Sequence, residues 1–65
     1  MMLYELLTRI DKNVHVKLKI RNERTLLTIQ GSCDYVYKRL NRNGMASNVF
    51  YIDVEEEELI VEAMQ

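Results

Sequence analysis

The chain has 65 residues, of which 48% are hydrophobic, and its net charge is −1 at pH 7. This apolar content argues against disorder, and the length fits one domain over residues 1–65, near the lower limit for a self-sufficient core. One cysteine excludes an intrachain disulfide, and one cysteine with one histidine disfavours a zinc site, so we expect no metal and no cofactor. Oligomerisation is the remaining way to stabilise so small a domain, and we expect a homodimer.

The first segment predicts a short amphipathic helix. Leucine or isoleucine occupies positions 3, 6, 7 and 10, which form one stripe along a helix. The polar residues Asp11, Lys12 and Asn13 end it. With fewer than about three turns the helix would be marginal alone, so its stripe must dock on other elements.

A β-hairpin is predicted next. Residues 14–21 alternate apolar with mostly basic side chains, and residues 25–30 return after a turn at Asn22-Glu23. Setting Arg21 opposite Arg24 gives a register with one buried face. The pairs expected on that face are Leu18–Leu27 and Val16–Ile29.

Residues 31–44 predict a second helix. Gly31 is expected to end the preceding strand, and Ser32 is a suitable N-cap. The apolar stripe of this helix consists of Cys33, Val36, Tyr37 and Leu40. Asn43-Gly44 is then expected to close the helix, because glycine commonly follows a C-cap.

The segment from Val49 to Gln65 predicts a second hairpin, folded about the acidic run Glu55–Glu58. Apolar residues alternate on both sides of that run, so one register gathers them on a single face. The expected pairs are Val54–Leu59, Ile52–Val61 and Phe50–Ala63. Glutamate suits a two-residue hairpin turn poorly, so we predict a four-residue loop over Glu55–Glu58.

The order helix, hairpin, helix, hairpin predicts an α+β fold (αββαββ) with a four-stranded antiparallel sheet and both helices on one face. The other face would stay uncovered, and several of its side chains are more apolar than a solvated surface requires. We therefore predict a binding surface there. Its residues are His15, Lys17, Lys19, Leu26, Tyr51, Asp53, Ile60, Glu62 and Met64.

Charge is divided unequally along the chain. Residues 1–48 contain nine basic and four acidic residues, a net charge of +5, and residues 49–65 contain six acidic and no basic residues, a net charge of −6. Pairing within the fold, across a dimer or with a partner could balance this division. The acidic tip, Glu55, Glu56, Glu57 and Glu58, is typical of a solvated loop, and the alternative is a tip that docks on a basic partner.

The basic first hairpin raises a hypothesis of nucleic-acid binding. Lys17 and Lys19, with Arg21 and Arg24, could contact phosphates. The acidic second hairpin opposes this function, because it would repel a phosphate backbone at short range. A further alternative is capture of a small anionic nucleotide in a pocket shared between subunits.

Cys33 and His15 are the residues that could supply a nucleophile and its base. No third catalytic group accompanies them in the sequence, so we expect a cysteine that packs in the core and a histidine that is solvated or lies at an interface. We therefore expect a protein that is not an enzyme. No signal peptide and no stretch of membrane-spanning length is recognised, so we expect a cytoplasmic protein without a membrane partner.

Four features follow one another along most of the chain: the opening Met2–Leu7, an alternating strand, a Gly31-Ser32 break before a helix, and a final hairpin with an acidic turn. This pattern resembles short phage and prophage proteins of low-GC Gram-positive bacteria. The resemblance supplies no functional residue to transfer. Because phage accessory proteins of this size often act by stoichiometric binding, it implies a host protein as partner in the host cytoplasm, with inhibition of a bacterial defence system as one such role.

Overall fold

The computed structural model describes residues 1–65 as three short helices and one four-stranded sheet. In chain order the elements are α1 (Leu3–Leu7), β1 (His15–Arg21), β2 (Leu26–Ser32), α2 (Cys33–Arg39), α3 (Arg42–Met45), β3 (Asn48–Glu55) and β4 (Glu58–Met64). The predicted α+β class is confirmed. None of the helices has the length and apolar character that crossing a membrane requires.

The sheet is mixed, so the prediction of a wholly antiparallel sheet is wrong. Its strand order is β2-β1-β4-β3, in which each hairpin is antiparallel and the central pair β1–β4 is parallel. The segment between β1 and β4 includes α2 and α3 and provides the long connection that a parallel pair needs. This order places the two strands with the most buried residues at the centre, where the core can cover them.

The core lies on the side of the sheet that bears Val16, Leu18 and Ile20, which we term the core face; the opposite side is the far face. Side chains from α1 and α2 pack into the same cluster as alternate residues of β1 and β4. Its nine buried members are Leu3, Leu7, Val16, Leu18, Ile20, Cys33, Val36, Val61 and Ala63. Full burial of such a side chain contributes about 1.5–3 kcal/mol for the larger residues, so this cluster is the main source of stability.

The first hairpin has a register two residues away from the predicted one. Arg21 lies opposite Leu26 rather than Arg24, because Asn22–Thr25 forms a longer turn. In that turn Oδ1 of Asn22 accepts hydrogen bonds from the backbone N–H groups of Arg24 and Thr25 at 2.9 and 2.8 Å. The observed core-face pairs are Leu18–Ile29 and Ile20–Leu27. A shift of two residues keeps every side chain on its predicted face, since the side-chain period of a strand is two.

The second hairpin keeps two of its three predicted pairs. Val54 faces Leu59 and Ile52 faces Val61, as expected, but the third pair is Val49–Ala63. A bulge between Val49 and Tyr51 causes this change, because it inserts Phe50 as an additional residue in β3.

The turn of the second hairpin has two residues, so the predicted four-residue loop is wrong. Glu55 pairs with Glu58, which leaves only Glu56 and Glu57 between the strands. Their φ angles are 49° and 64°, both in the left-handed region. Positive φ at both central residues is the backbone of the type I′ turn, whose twist matches that of the flanking strands. The strand twist therefore overrides the poor suitability of glutamate for this conformation.

Gly31 continues β2 rather than ending it, and it pairs with Val16. Its φ is 156°, and a Cβ at this position would lie 2.7 Å from Cδ2 of Tyr35. Glycine is thus required because the Tyr35 ring packs directly over the backbone. Ser32 caps α2 as predicted, with its Oγ accepting a hydrogen bond from the Tyr35 N–H at 3.1 Å.

The two predicted helices both end earlier than expected. α1 ends at Leu7 rather than near Ile10, and α2 ends at Arg39. After α2, Asn41 starts the separate helix α3, because its Oδ1 accepts a hydrogen bond from the N–H of Gly44 at 2.8 Å. Asn43-Gly44 therefore lies inside α3, and the prediction that it closes α2 is wrong.

The N-terminal segment Met1–Leu3 lies along the outer edge of the residues Ser47–Val49. Met2 and Asn48 form an antiparallel bridge. The two hydrogen bonds run from the Val49 N–H to the Met1 carbonyl and from the Leu3 N–H to the Ser47 carbonyl, each 2.8 Å long. The N-terminal segment therefore occupies the first part of the outer edge of β3.

Candidate interaction surface

The far face carries all nine residues of the sequence-predicted binding surface. Alternation places His15, Lys17 and Lys19 opposite the core-face residues of β1, and the strand registers bring the other residues alongside them. From β2 to β3 the rows across this face are Thr28–Lys19–Glu62–Tyr51 and Gln30–Lys17–Ile60–Asp53. The expectation that these residues share one face of the sheet thus agrees with the registers.

Polar and charged side chains of neighbouring strands contact one another on the far face. Nε2 of His15 lies 3.0 Å from Oε2 of Glu58, and Nε2 of Gln30 donates a hydrogen bond of 2.7 Å to the same oxygen. Nη2 of Arg21 lies 3.8 Å from Oε1 of Glu62. The parallel β1–β4 pair makes these contacts, because it sets a basic strand beside an acidic one. Part of the charge division along the sequence is therefore balanced within the fold.

Ile60 is buried although it lies on the far face. Its relative exposure is 8%, and it stands between Lys17 on β1 and Asp53 on β3. Long charged side chains cover apolar neighbours with their methylene groups while the charged ends stay in water. Ile60 is therefore a poor candidate for direct contact with a partner.

The exposed apolar residues of the far face gather at one end of the sheet. Leu26, Arg21 and Met64 form one row across β2, β1 and β4, and Tyr51 is diagonal to Met64 across the β3–β4 pair. Leu26, Met64 and Tyr51 have relative exposures of 53%, 51% and 44%. We term these four residues the end patch. The strand order creates this patch, because it places Met64 next to Arg21.

Tyr51 is held in position by its own strand. Its hydroxyl donates a hydrogen bond of 3.1 Å to Oδ2 of Asp53. This hydrogen bond to the carboxylate, with the negative charge of Asp53, raises the pKa of Tyr51 above its ordinary value. The hydrogen bond to Asp53 thus orients the exposed Tyr51 ring.

The acidic tip and the basic hairpin are less separate than the sequence suggests. Glu58 belongs to β4 and contacts His15, which leaves Glu55, Glu56 and Glu57 as the exposed tip. Arg24 lies in the β1–β2 turn, whereas Arg21 contacts Glu62. Carboxylates of β4 therefore lie beside the cations of β1 and lower the positive potential of that strand.

Cys33 lies in the core and its thiol is held in the protonated form. Its relative exposure is 2%, and Sγ donates a hydrogen bond of 3.4 Å to the carbonyl of Leu7. Burial, followed by the negative charges of Asp34 and Asp11, raises the pKa of this thiol. His15 lies on the far face of the sheet, away from this core position. No group of three or more His, Cys, Asp or Glu side chains has an arrangement that could hold a metal ion.

One exposed surface was missed at the level of sequence. The hairpin pattern predicts that Phe50, Ile52 and Val54 share one apolar face, but their relative exposures are 53%, 47% and 66%. Ile52 and Val54 pair with the core-face residues Val61 and Leu59, and Phe50 lies in the bulge before them. None of the three belongs to the core cluster, because β3 is an edge strand that the helices do not cover. Alternation alone cannot reveal this exposure, since a central and an edge strand have the same pattern.

Comparisons of the chain with protein-family models, with curated proteins and with solved structures give no match.

Proposed function

We propose that the chain is a small, non-enzymatic phage-type accessory protein that binds a host protein stoichiometrically through the end patch. Inhibition of a bacterial defence system is the activity to test first. The observation that carries the proposal is the row Leu26–Arg21–Met64 with Tyr51 beside it, which joins exposed apolar and polar groups in one area.

The composition of the end patch supports this function. Tyrosine and arginine are enriched among the residues that contribute most to protein interfaces, and leucine and methionine supply apolar area around them. Side chains of α1 and α2 pack into the core cluster, so the far face stays accessible to a partner. The paired charges beside the patch would form a polar rim, and the fixed Tyr51 ring would bind with little loss of conformational freedom.

Nucleic-acid binding is a weaker alternative on this surface. The β1 cations share the far face with Glu58 and Glu62 on the adjacent strand and with Asp53 one strand further, so a phosphate backbone would meet carboxylates within one or two strand spacings. The end patch contains a single cation, Arg21, and its nearest carboxylate is Glu62.

The test begins with retention of host proteins from bacterial lysate on the tagged chain, with and without nuclease, followed by titration of the retained protein in purified form. The variant Leu26→Gln should weaken that binding by about tenfold or more, because it removes an apolar contact from the patch. The matched control is Leu27→Gln. Leu27 has nearly the same exposure, 51%, on the same strand, but it points to the core side.

Equal losses in the two variants, or no loss in either, would contradict binding through the end patch. Retention that disappears after nuclease treatment would contradict a protein partner and favour nucleic acid. A chain that retains no protein at all would also count against the proposal, and capture of a small anionic nucleotide would be tested next.

A further inference from the structure

The outer edge of β3 has a free stretch of defined length. Before it, Ser47–Val49 is occupied by Met1–Leu3, and after it the chain turns at Glu56-Glu57. The residues between, from Phe50 to Glu55, lie at the edge of the sheet, and each of them is exposed. Glu55 closes the turn by pairing with Glu58, so the free stretch consists of Phe50 to Val54. The free stretch is thus five residues long and centred on Ile52.

This free edge is unusually apolar for an exposed strand. Four of its five side chains are large and hydrophobic or aromatic, and each is between 44% and 66% exposed. Soluble proteins usually protect such edges with lysine, proline or a covering element, because an unpaired apolar edge recruits another strand. The opposite edge, on β2, places Thr28 and Gln30 between its apolar residues. The β3 edge is therefore the place where a further strand would add to the sheet.

We propose that this strand is the β3 edge of a second copy, paired antiparallel, with Ile52 on the two-fold axis. In that register Phe50 of each copy faces Val54 of the other, Tyr51 faces Asp53, and Ile52 faces Ile52. The apolar side chains then meet on the core side of both sheets, and a phenol meets a carboxylate on the far side. The sequence of the edge is thus complementary to itself, which is what a two-fold interface requires.

Neighbouring registers fit less well. A slip of one strand by a single residue pairs odd-numbered with even-numbered positions, and it brings apolar side chains opposite Tyr51 and Asp53. A shift one way along the strand sets Asp53 directly opposite Asp53, where like charges repel. The opposite shift sets Asp53 against Val49, whose N–H is already bonded to the Met1 carbonyl. The Ile52-centred register is the one that matches all five positions.

The antiparallel arrangement also separates the acidic turns. The two Glu56-Glu57 turns would lie at opposite ends of the joined strands, so their charges would not face each other. The resulting eight-stranded sheet has an isologous interface that closes at two copies. Of the end patch it engages only Tyr51, and Leu26, Arg21 and Met64 stay away from the joined strands.

Sedimentation equilibrium of the purified chain tests the proposal. The wild type should form a dimer of twice the 7.8 kDa chain mass. Ile52→Lys should weaken dimerisation by about 100-fold or more, because it places two lysines opposite each other in an apolar contact. Leu27→Lys is the matched control: it changes a residue of similar exposure on the core side of the other edge strand, and it should leave the dimer unchanged.

Single cysteines test the register. Under mild oxidation Ile52→Cys should give a covalent dimer, since residue 52 faces itself across the axis. Val54→Cys should give little covalent dimer. Its partner position is residue 50, and the two copies of residue 54 lie about 13 Å apart along the strands. The wild type is the blank, since its Cys33 is buried.

A monomer at all accessible concentrations overturns the proposal, as does a dimer that Ile52→Lys leaves intact. Cross-linking of Val54→Cys in preference to Ile52→Cys overturns the register. These measurements use the purified chain alone, so their failure is independent of whether the end patch binds a host protein.

Discussion

At the scale of single residues, Cys33 combines two features that make it a structural rather than a reactive thiol. It begins α2 beside Asp34, and it lies under α1 with its S–H directed to the Leu7 carbonyl. Exclusion from water disfavours the thiolate, and the nearby carboxylates disfavour it further. A helix N-terminus lowers a thiol pKa in many reactive cysteines, but this position is too buried for that effect to prevail.

Cys33 should make the folded chain less stable as the pH becomes alkaline. Its pKa is raised in the folded chain above the ordinary value of 9.0, so the folded state binds more protons than the unfolded state in the interval between the two values. The free energy of unfolding should therefore fall as pH rises through this interval. Urea unfolding of the wild type and of Cys33→Ala at several pH values measures the effect, and the variant should show a shallower fall. Parallel profiles for the two proteins would contradict this explanation.

At the scale of elements, the β3–β4 turn shows strand twist overriding residue preference. Glu56 and Glu57 both adopt positive φ, which costs about 1–2 kcal/mol per residue for a side chain with a Cβ. The aligned pairs Val54–Leu59 and Ile52–Val61 retain this conformation, because the ladder continues to the Glu55–Glu58 pair and leaves two residues to close the turn. The hairpin therefore contains strain at its tip that its apolar pairs offset.

The double substitution Glu56→Asn with Glu57→Gly should stabilise the fold by about 1–2 kcal/mol, because Asn-Gly is the preferred pair for a turn of this type. Thermal and urea unfolding measure the change. The matched control is Glu56→Gln with Glu57→Gln, which removes the same two charges but keeps side chains that disfavour positive φ. If the control gives the whole gain, charge repulsion rather than backbone conformation is the source of the strain.

At the scale of the whole molecule, the parallel β1–β4 pair joins the two oppositely charged parts of the chain. It sets His15 beside Glu58 and Arg21 near Glu62, and it also places Lys19 opposite Glu62. Each exposed pair contributes little alone, typically below about 1 kcal/mol. Together they favour this edge-to-edge arrangement of the hairpins over others, since like-charged strands side by side would repel.

Reversing the charge of Glu62 should reveal how much the contacts between β1 and β4 contribute to stability. Glu62→Lys places a third cation beside Lys19 and Arg21, and it should lower the free energy of unfolding by about 1 kcal/mol. The loss should shrink in high salt, because these groups are partly exposed. Glu57→Lys makes the same charge change in the turn, away from β1, and should cost nothing. A loss for Glu62→Lys that salt leaves unchanged would indicate a packing defect instead.

The local features are predictable from the amino-acid sequence: the α+β class, the existence and order of both hairpins, the faces of their strands, the Ser32 cap and the burial of Cys33. These depend on side-chain period and on contacts between residues close in the chain, which a sequence displays directly. The pairing of β1 with β4, the exposure of β3, the end patch and the side-chain contacts across the far face follow only from the tertiary structure. Each of these depends on which hairpin edges meet, and both hairpins have the same alternation whether their neighbour runs parallel or antiparallel. The core selects the β1–β4 pairing, because its buried side chains come from these two strands and from α1 and α2, which cover them.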